Sequence, residues 1–324
     1  MEKAVIKKGR KRLELKQLEV EALSFLENQR ALTLTQYYEF CYYVLDYDIT
    51  EYAFKNRIRK LEEFKIVRAK NFVDGFEGER FKYISVGAAG VDLLIQTKRL
   101  PTDYNKRKIY TFLEKENLYH YFATQQVVID FYRRIKMFYK RDMSNIIKSL
   151  IPSQSPYKMW VSYKKLTNNT SRIPGLSRFQ AVEKKTQPYN KPTGEYVPCV
   201  VADWILHAEK KEENTILMKT AHIELDTGSE SLDELEYKVL RYLNLAESNP
   251  NATIAVFFIL PDETYLAGKK FGNRDKRVEN IRKHFSNNPK LIKRIKESNL
   301  LVCVYPLRKA DIALGYFFFN RILA

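Results

Sequence analysis

The segment from Thr253 to Leu260 constrains the fold more than any other part of the chain. It is apolar at nearly every position, whereas a strand with one wet face would alternate. Successive strand side chains point to opposite faces, so this segment is the fully buried kind of strand. Its neighbours read as a layered mixed domain. Thr215 to Asp226 reads as another strand, and Leu232 to Ala246 as a helix that can pack through Leu235, Val239, Leu240, Tyr242 and Leu243. Helices at Arg274 to Ser286 and Pro289 to Glu297 precede a last strand, Leu300 to Pro306. Upstream, Tyr119 to Phe138 has a strong helical pattern suited to packing along this sheet. Met159 to Leu166 and Val197 to His207 are strand candidates, separated by an exposed excursion from Asn168 to Pro198. The Tyr316 to Phe319 run reads as a buried strand or a dimer contact, with burial within the chain preferred.

Three acids fall on two of these strands. Asp203 follows Val200-Val201-Ala202, and Glu224 and Asp226 lie two apart in His222-Ile223-Glu224-Leu225-Asp226. Residues two apart share a strand face, so Glu224 and Asp226 point the same way while Ile223 and Leu225 point into the core. Clustered carboxylates suit Mg2+ or Mn2+, which polarise phosphoryl oxygens and generate hydroxide for phosphodiester cleavage. The alternative is that these acids solvate a sheet end or pair with surplus Lys and Arg.

That surplus is large: 56 Lys and Arg against 39 Asp and Glu, a formal charge of +17 over 324 residues, with no single basic tail to account for it. A polyanionic partner is expected, nucleic acid first and a membrane surface second. No apolar run reaches bilayer length and no signal region follows Met1 to Arg12, so no membrane insertion is expected and the protein is placed in the cytoplasm. Cys41, Cys199 and Cys303 are isolated in apolar segments and read as small core residues in a reducing compartment. Four scattered histidines and no paired cysteine spacing argue against structural zinc. Neither a Walker loop nor a dinucleotide fingerprint is present.

The first hundred residues read as three helices and a hairpin. Leu13, Leu15, Leu18, Ala22, Leu23, Phe25 and Leu26 supply the first helix, and Thr33 to Leu45 the second. In a third helix Tyr52, Ala53, Ile58, Leu61 and Phe64 are available to pack inward, opposite Lys55, Asn56, Arg59 and Lys60. Strands at Ile66 to Lys70 and Arg80 to Ile84 flank the turn-forming Asp74 to Gly78, and Val86 to Ile95 closes the unit. Lys7, Lys8, Arg10, Lys11 and Arg12 read as a flexible phosphate-binding arm or a solubility segment.

This order, with the Arg57 to Glu62 run and a hairpin ending Tyr83 to Gly87, resembles the winged-helix family. The resemblance implies DNA contacts from Lys55, Asn56, Arg59 and Lys60 on the third helix, and from Arg68, Lys70, Arg80 and Lys82 on the wing. The strand acids resemble the PD-(D/E)xK restriction-endonuclease-like fold. Together with His120, Ala202-Asp203-Trp204, Glu224 to Glu230 and Lys238 to Tyr242, the whole resembles the replication-relaxation family of plasmid and conjugative-element proteins. The implied fold is α+β: a winged helix over residues 1–99, a linker over 100–118, and an endonuclease-like domain with a mixed central sheet over 119–324. The implied role is accessory DNA processing in replication or mobilisation, with double-stranded DNA, other replication or conjugation proteins and a homodimeric partner as candidate partners.

Where that nuclease fold carries a lysine two places after the strand acid, this chain has Asp226. Lys238 on the next helix is the candidate replacement; alternatively, it pairs with Glu234 four residues earlier as an ordinary helix pair. Two functions follow. In the preferred one the chain binds DNA and its nuclease-like domain is degenerate. In the other it is a metal-dependent nuclease or nickase with Asp203, Glu224 and Asp226 on the ion and Lys238 on the phosphate. Relaxase chemistry fits poorly, because it needs clustered histidines; the 22 tyrosines are better explained by packing or stacking.

Overall fold

The computed structural model describes residues 4–73, 80–105, 118–139, 150–153, 189–190, 195–196, 202–212, 215–247, 249–261, 265–266, 269–270 and 272–319. The chain is a mixed α+β protein of two units, Met1–Met143 with Tyr265–Lys270, and Ser144–Thr264 with Phe271–Ala324. No helix among the described residues is long and apolar enough to cross a membrane.

The first unit opens with an antiparallel hairpin, β1 (Ala4–Lys8) and β2 (Lys11–Leu15), turning at Gly9 with φ of 58°. The basic segment is therefore a hairpin and not a free arm. Leu13 and Leu15, read as the start of a helix, are two apart on a strand and bury the same face. Helix α1 spans Gln17–Gln29, β3 Leu32–Thr33, and α2 Leu34–Glu39, which runs on into a π turn over Phe40–Val44. Thr33 and Gln36 form a reciprocal capping box, each backbone N–H donating to the other's side-chain oxygen at 3.0 and 3.1 Å. Helix α3 (Glu51–Glu63) is capped by the Thr50 hydroxyl, and β4 (Val67–Val73) and β5 (Arg80–Val86) join β3 in an antiparallel sheet of order β3-β5-β4. Helix α4 (Ala88–Gln96) follows, and a Cβ at Gly90 would lie 2.2 Å from the Ile66 carbonyl oxygen.

Helix α5 (Leu118–Tyr139) belongs to this unit, whereas the sequence grouped it with the second domain. Its residues answer polar groups here: Gln36 donates to the Phe122 carbonyl at 2.7 Å, and Gln125 to the Gln29 carbonyl at 2.8 Å. Phe122 is buried with Ala31 and Tyr83. Tyr104, in the segment read as a linker, accepts a hydrogen bond from Arg30 at 2.6 Å and packs on the larger core cluster that contains Leu23, Leu26 and Leu94.

In the second unit β6 spans Leu150–Ser153, and a two-residue pair forms β7 (Tyr189–Asn190) and β8 (Glu195–Tyr196). The strand read at Met159 to Leu166 and most of the Asn168 to Pro198 excursion lie outside the described residues. Strands β9 (Trp204–Glu212) and β10 (Thr215–Leu225) are antiparallel, and α6 (Leu232–Glu247) leads to β11 (Ala252–Leu260), which runs parallel to β10. A short pair, β12 (Tyr265–Leu266) and β13 (Lys269–Lys270), groups with the first unit. Helices α7 (Asp275–Ser286) and α8 (Pro289–Glu297) then return the chain to β14 (Leu300–Pro306), parallel to β11. The mixed sheet has the order β14-β11-β10-β9-β6.

Thr253 to Leu260 is covered on both faces. Ile254, Val256, Phe258 and Leu260 bury against Leu235, Val239, Tyr242 and Leu243 of α6, Val278, Ile281 and Phe285 of α7, and Leu291 of α8. On the opposite face Phe257 meets Phe317 of α9 (Leu307–Phe319), ring centres 5.9 Å apart. The terminal aromatic run is thus a helix end and not a strand. Leu307, Ala310, Leu314, Phe317 and Phe318 recur at helical spacing and are buried, which leaves Tyr316 exposed.

Candidate functional site

The acids collect where β10 ends. Register places His222 opposite Val256 and Glu224 opposite Phe258, so both point to the face covered by α6, α7 and α8. Ile223 lies on the other face, and its neighbours Glu224 and Asp226 are themselves buried, at 5% and 3% exposure. Asp203 precedes β9 and accepts a hydrogen bond from the Leu225 N–H at 2.8 Å, tying the two strand ends together.

Helix α6 starts with a capping box in which Ser231 and Glu234 exchange hydrogen bonds, the Ser231 N–H donating at 2.7 Å. The helix then points Lys238 and Tyr242, four residues apart, back at Glu224. Lys238 Nζ lies 3.1 Å from Glu224 Oε2 and 2.7 Å from Glu230 Oε1, and the Tyr242 hydroxyl donates to Glu224 Oε1 at 2.6 Å. The His222 ring meets Tyr242 edge to face.

Asp226 has a different partner. Arg277 of α7 donates from Nε to its Oδ2 at 2.9 Å and from Nη2 to the Glu230 carbonyl at 2.6 Å. The Gly228 N–H donates to Asp226 Oδ1 at 2.7 Å, in a turn that holds Gly228 at φ of 92°. Nothing in the sequence marked Arg277; it is one cation in the Arg274 to Arg277 run, and only the packing of α7 brings it to the acid.

Burial pushes the Glu224 carboxyl above its ordinary range; Lys238 opposes this and Asp203 adds to it. Burial works against the Lys238 ammonium, yet Glu224 and Glu230 outweigh it and hold the amine above its usual value. Burial and the neighbouring Glu224 keep Tyr242 a protonated phenol, so it serves as a donor.

Each oxygen of Glu224 and of Asp226 accepts a hydrogen bond from the protein, and two of those donors are cations. A dication at the same oxygens would meet Lys238 and Arg277 at close range and would have to displace these donors. Among the described residues no group of three or more His, Cys, Asp and Glu side chains is placed to hold a metal ion.

In the first unit α3 buries Phe54, Ile58 and Leu61. Tyr52 and Ala53, read as inward, are exposed, and Phe54 takes their place. Lys55, Arg59 and Lys60 are exposed and Asn56 is half-buried, accepting from Arg59 at 3.2 Å. Lys55 pairs with Glu51 at 2.6 Å within the helix. Arg68 and Lys82 are half-buried on the hairpin, Lys82 lying 3.9 Å from Glu62, and Lys70 is exposed. Arg80 opens β5, and its side chain lies outside the described residues. Arg57 is turned inward on α3, with Nε 2.6 Å from Glu19 Oε1.

Comparison with protein-family models, with curated proteins and with solved structures found no match to this chain.

Proposed function

We propose that the chain is a DNA-binding accessory protein. In this reading the first unit works as a winged helix, with α3 entering the major groove and the β4–β5 hairpin following the flanking backbone. The second unit is a nuclease-like sheet whose acids are structural ion pairs. Replication or mobilisation of an extrachromosomal element is the setting that the family resemblance implies.

The observation that carries the DNA reading is the exposed set Tyr52, Lys55, Arg59 and Lys60 on a helix whose other side is core. Its neighbouring hairpin adds Arg68, Lys70 and Lys82, and the whole chain carries +17. Support for a non-catalytic second unit comes from Lys238, Tyr242 and Arg277, which occupy the carboxylate oxygens an ion would need.

One observation favours the second reading, a metal-dependent nuclease. Lys238 reaches Glu224 from the adjoining helix and so stands where a catalytic lysine could meet a phosphate beside the acids. A paired assay separates the two. Wild-type protein, Lys55→Ala/Arg59→Ala and Glu224→Ala/Asp226→Ala are scored for binding and strand scission on supercoiled and single-stranded DNA, with Mg2+, Mn2+ or EDTA. The accessory role expects binding that weakens in the α3 variant and no scission. Metal-dependent scission lost in the acid variant would replace it with the nuclease, and wild-type protein that neither binds nor cuts DNA would discard both.

A further inference from the structure

In the second unit α7 and α8 turn a basic face to solvent. Val278, Ile281, Phe285 and Leu291 are their buried positions, while Lys276, Arg282, Lys283, Lys290, Lys293 and Lys296 are exposed. The acids interspersed with them do little to balance this charge. Asp275 accepts two hydrogen bonds from Arg308, at 2.7 and 2.8 Å, and one from Asn273 at 3.4 Å, Glu297 lies 3.9 Å from Lys293, and Glu279 is the one further acid on the two helices. Arg282 donates to the Val304 carbonyl at 2.6 Å and lies over the Tyr305 ring, neither of which neutralises it. Among the described residues, Lys276, Lys283, Lys290 and Lys296 have no acidic side chain within ion-pair distance.

Helix stability accounts for Lys283 and Lys296, which stand in the last turns of α7 and α8 where the dipole favours a cation, but not for Lys290. Lys290 stands in the first turn of α8, where the positive end of the helix dipole disfavours a cation. Lys290, Lys293 and Lys296 follow at three-residue intervals, so Lys290 and Lys296 each face another cation where a glutamate would pair, while Lys293 also faces Glu297. Solubility needs polar residues here, not cations of one sign.

We infer that the α7–α8 face is a second, sequence-independent contact surface for a nucleic-acid backbone. Closely spaced phosphates complement a lysine array, and release of their counterions rewards each ammonium that replaces one. The lysines are flexible point charges with no fork geometry for base edges, so the surface adds affinity and salt dependence without choosing a sequence. It shares with the proposed function only the premise of a nucleic-acid partner and does not depend on α3.

The test is the salt dependence of duplex binding by the full chain, for wild type, Lys276→Gln/Lys283→Gln/Lys290→Gln/Lys296→Gln, and Lys55→Ala/Arg59→Ala. Every phosphate that a variant no longer neutralises reduces the slope of log K against log salt by about 0.9, so the quadruple variant is expected to flatten it by roughly 2 to 3.6 between about 50 and 200 mM salt. The weakening should be equal on unrelated sequences. Should the quadruple variant prove misfolded by circular dichroism, Lys283→Gln/Lys290→Gln is expected to give about half that change. An unchanged slope in the folded variants overturns the inference while leaving the α3 reading intact. A slope lowered here but not in the α3 variant keeps this surface and removes α3 as the DNA reader. Wild-type protein that binds anionic vesicles and no DNA overturns both.

Discussion

Lys238 Nζ lies 3.1 Å from Glu224 Oε2, an ion pair between a helix and a strand end in which both side chains are largely withdrawn from water. Removing Lys238 leaves the buried Glu224 carboxylate without its cation, whereas Lys238 keeps Glu230 when Glu224 is removed. Lys238→Met is expected to cost about 3 kcal/mol in urea unfolding, since breaking a buried pair typically costs about 3–5 and Tyr242 still donates to Glu224. Glu224→Gln/Lys238→Met should lie closer to wild type than the sum of the single changes. Strict additivity would show that the pair is not coupled.

The same pair sets a pH dependence. A carboxyl whose folded pKa is raised favours folding most below its ordinary value of 4.5, and that contribution is lost as pH rises through the folded value. Without Lys238, the Tyr242 hydrogen bond alone opposes the effect of burial on Glu224 and the window widens upward. Lys238→Met should therefore lose more melting temperature than wild type as pH rises above the ordinary carboxyl range. Parallel curves would contradict the assignment.

Neighbouring arginines on α3 should separate stability from binding. Arg57 is paired with buried Glu19 and also donates to the Glu14 carbonyl, so Arg57→Ala is expected to cost about 2–3 kcal/mol. Arg59 is exposed, and Arg59→Ala should change stability by no more than about 0.5 kcal/mol while weakening DNA binding. Thermal melts and binding isotherms on the two variants check this; a large loss of stability at Arg59 would contradict the geometry.

Gly90 has no room for a methyl group, because a Cβ there would lie 2.2 Å from the Ile66 carbonyl oxygen and 2.9 Å from a Val86 methyl. Gly90→Ala is expected to cost about 1–3 kcal/mol as α4 is pushed off the sheet. A melting temperature equal to wild type would mean that α4 docks differently.

Burial pushes the Cys303 thiol up to about 11, against the pull of Arg282, and burial also raises Cys41. Only the thiolate is nucleophilic, so both should react slowly with iodoacetamide at neutral pH and quickly in denaturant. Mass spectrometry of the labelled peptides reads this directly, and rapid native labelling of Cys41 would place it outside the core.

Much of the second unit was legible in one dimension. The strand and helices from Thr215 to Pro306 appear within a residue or two of where periodicity puts them, because each apolar stripe is repeated often enough to distinguish a period of 3.6 from a period of 2. Short stretches were not. Leu13 and Leu15 suit either a helix or a strand until Lys8 and Lys11 fold back beside them, and Phe317 and Phe318 read as a strand until the preceding turn of α9 fixes their helical phase.

The chain's own residues determined its mixed architecture, the meeting of Glu224 and Asp226 on one face, and a cationic surface, since all three depend on alternation and charge count. What those acids do was decided only in three dimensions. Lys238 and Tyr242 come from the next helix, and Arg277 from 51 residues beyond Asp226. Whether a carboxylate is held by an ammonium, a phenol or a guanidinium depends on which helix face packs over it. Packing likewise gave α5 to the first unit, because the Gln29 carbonyl that Gln125 answers and the Gln36 amide that answers Phe122 are there.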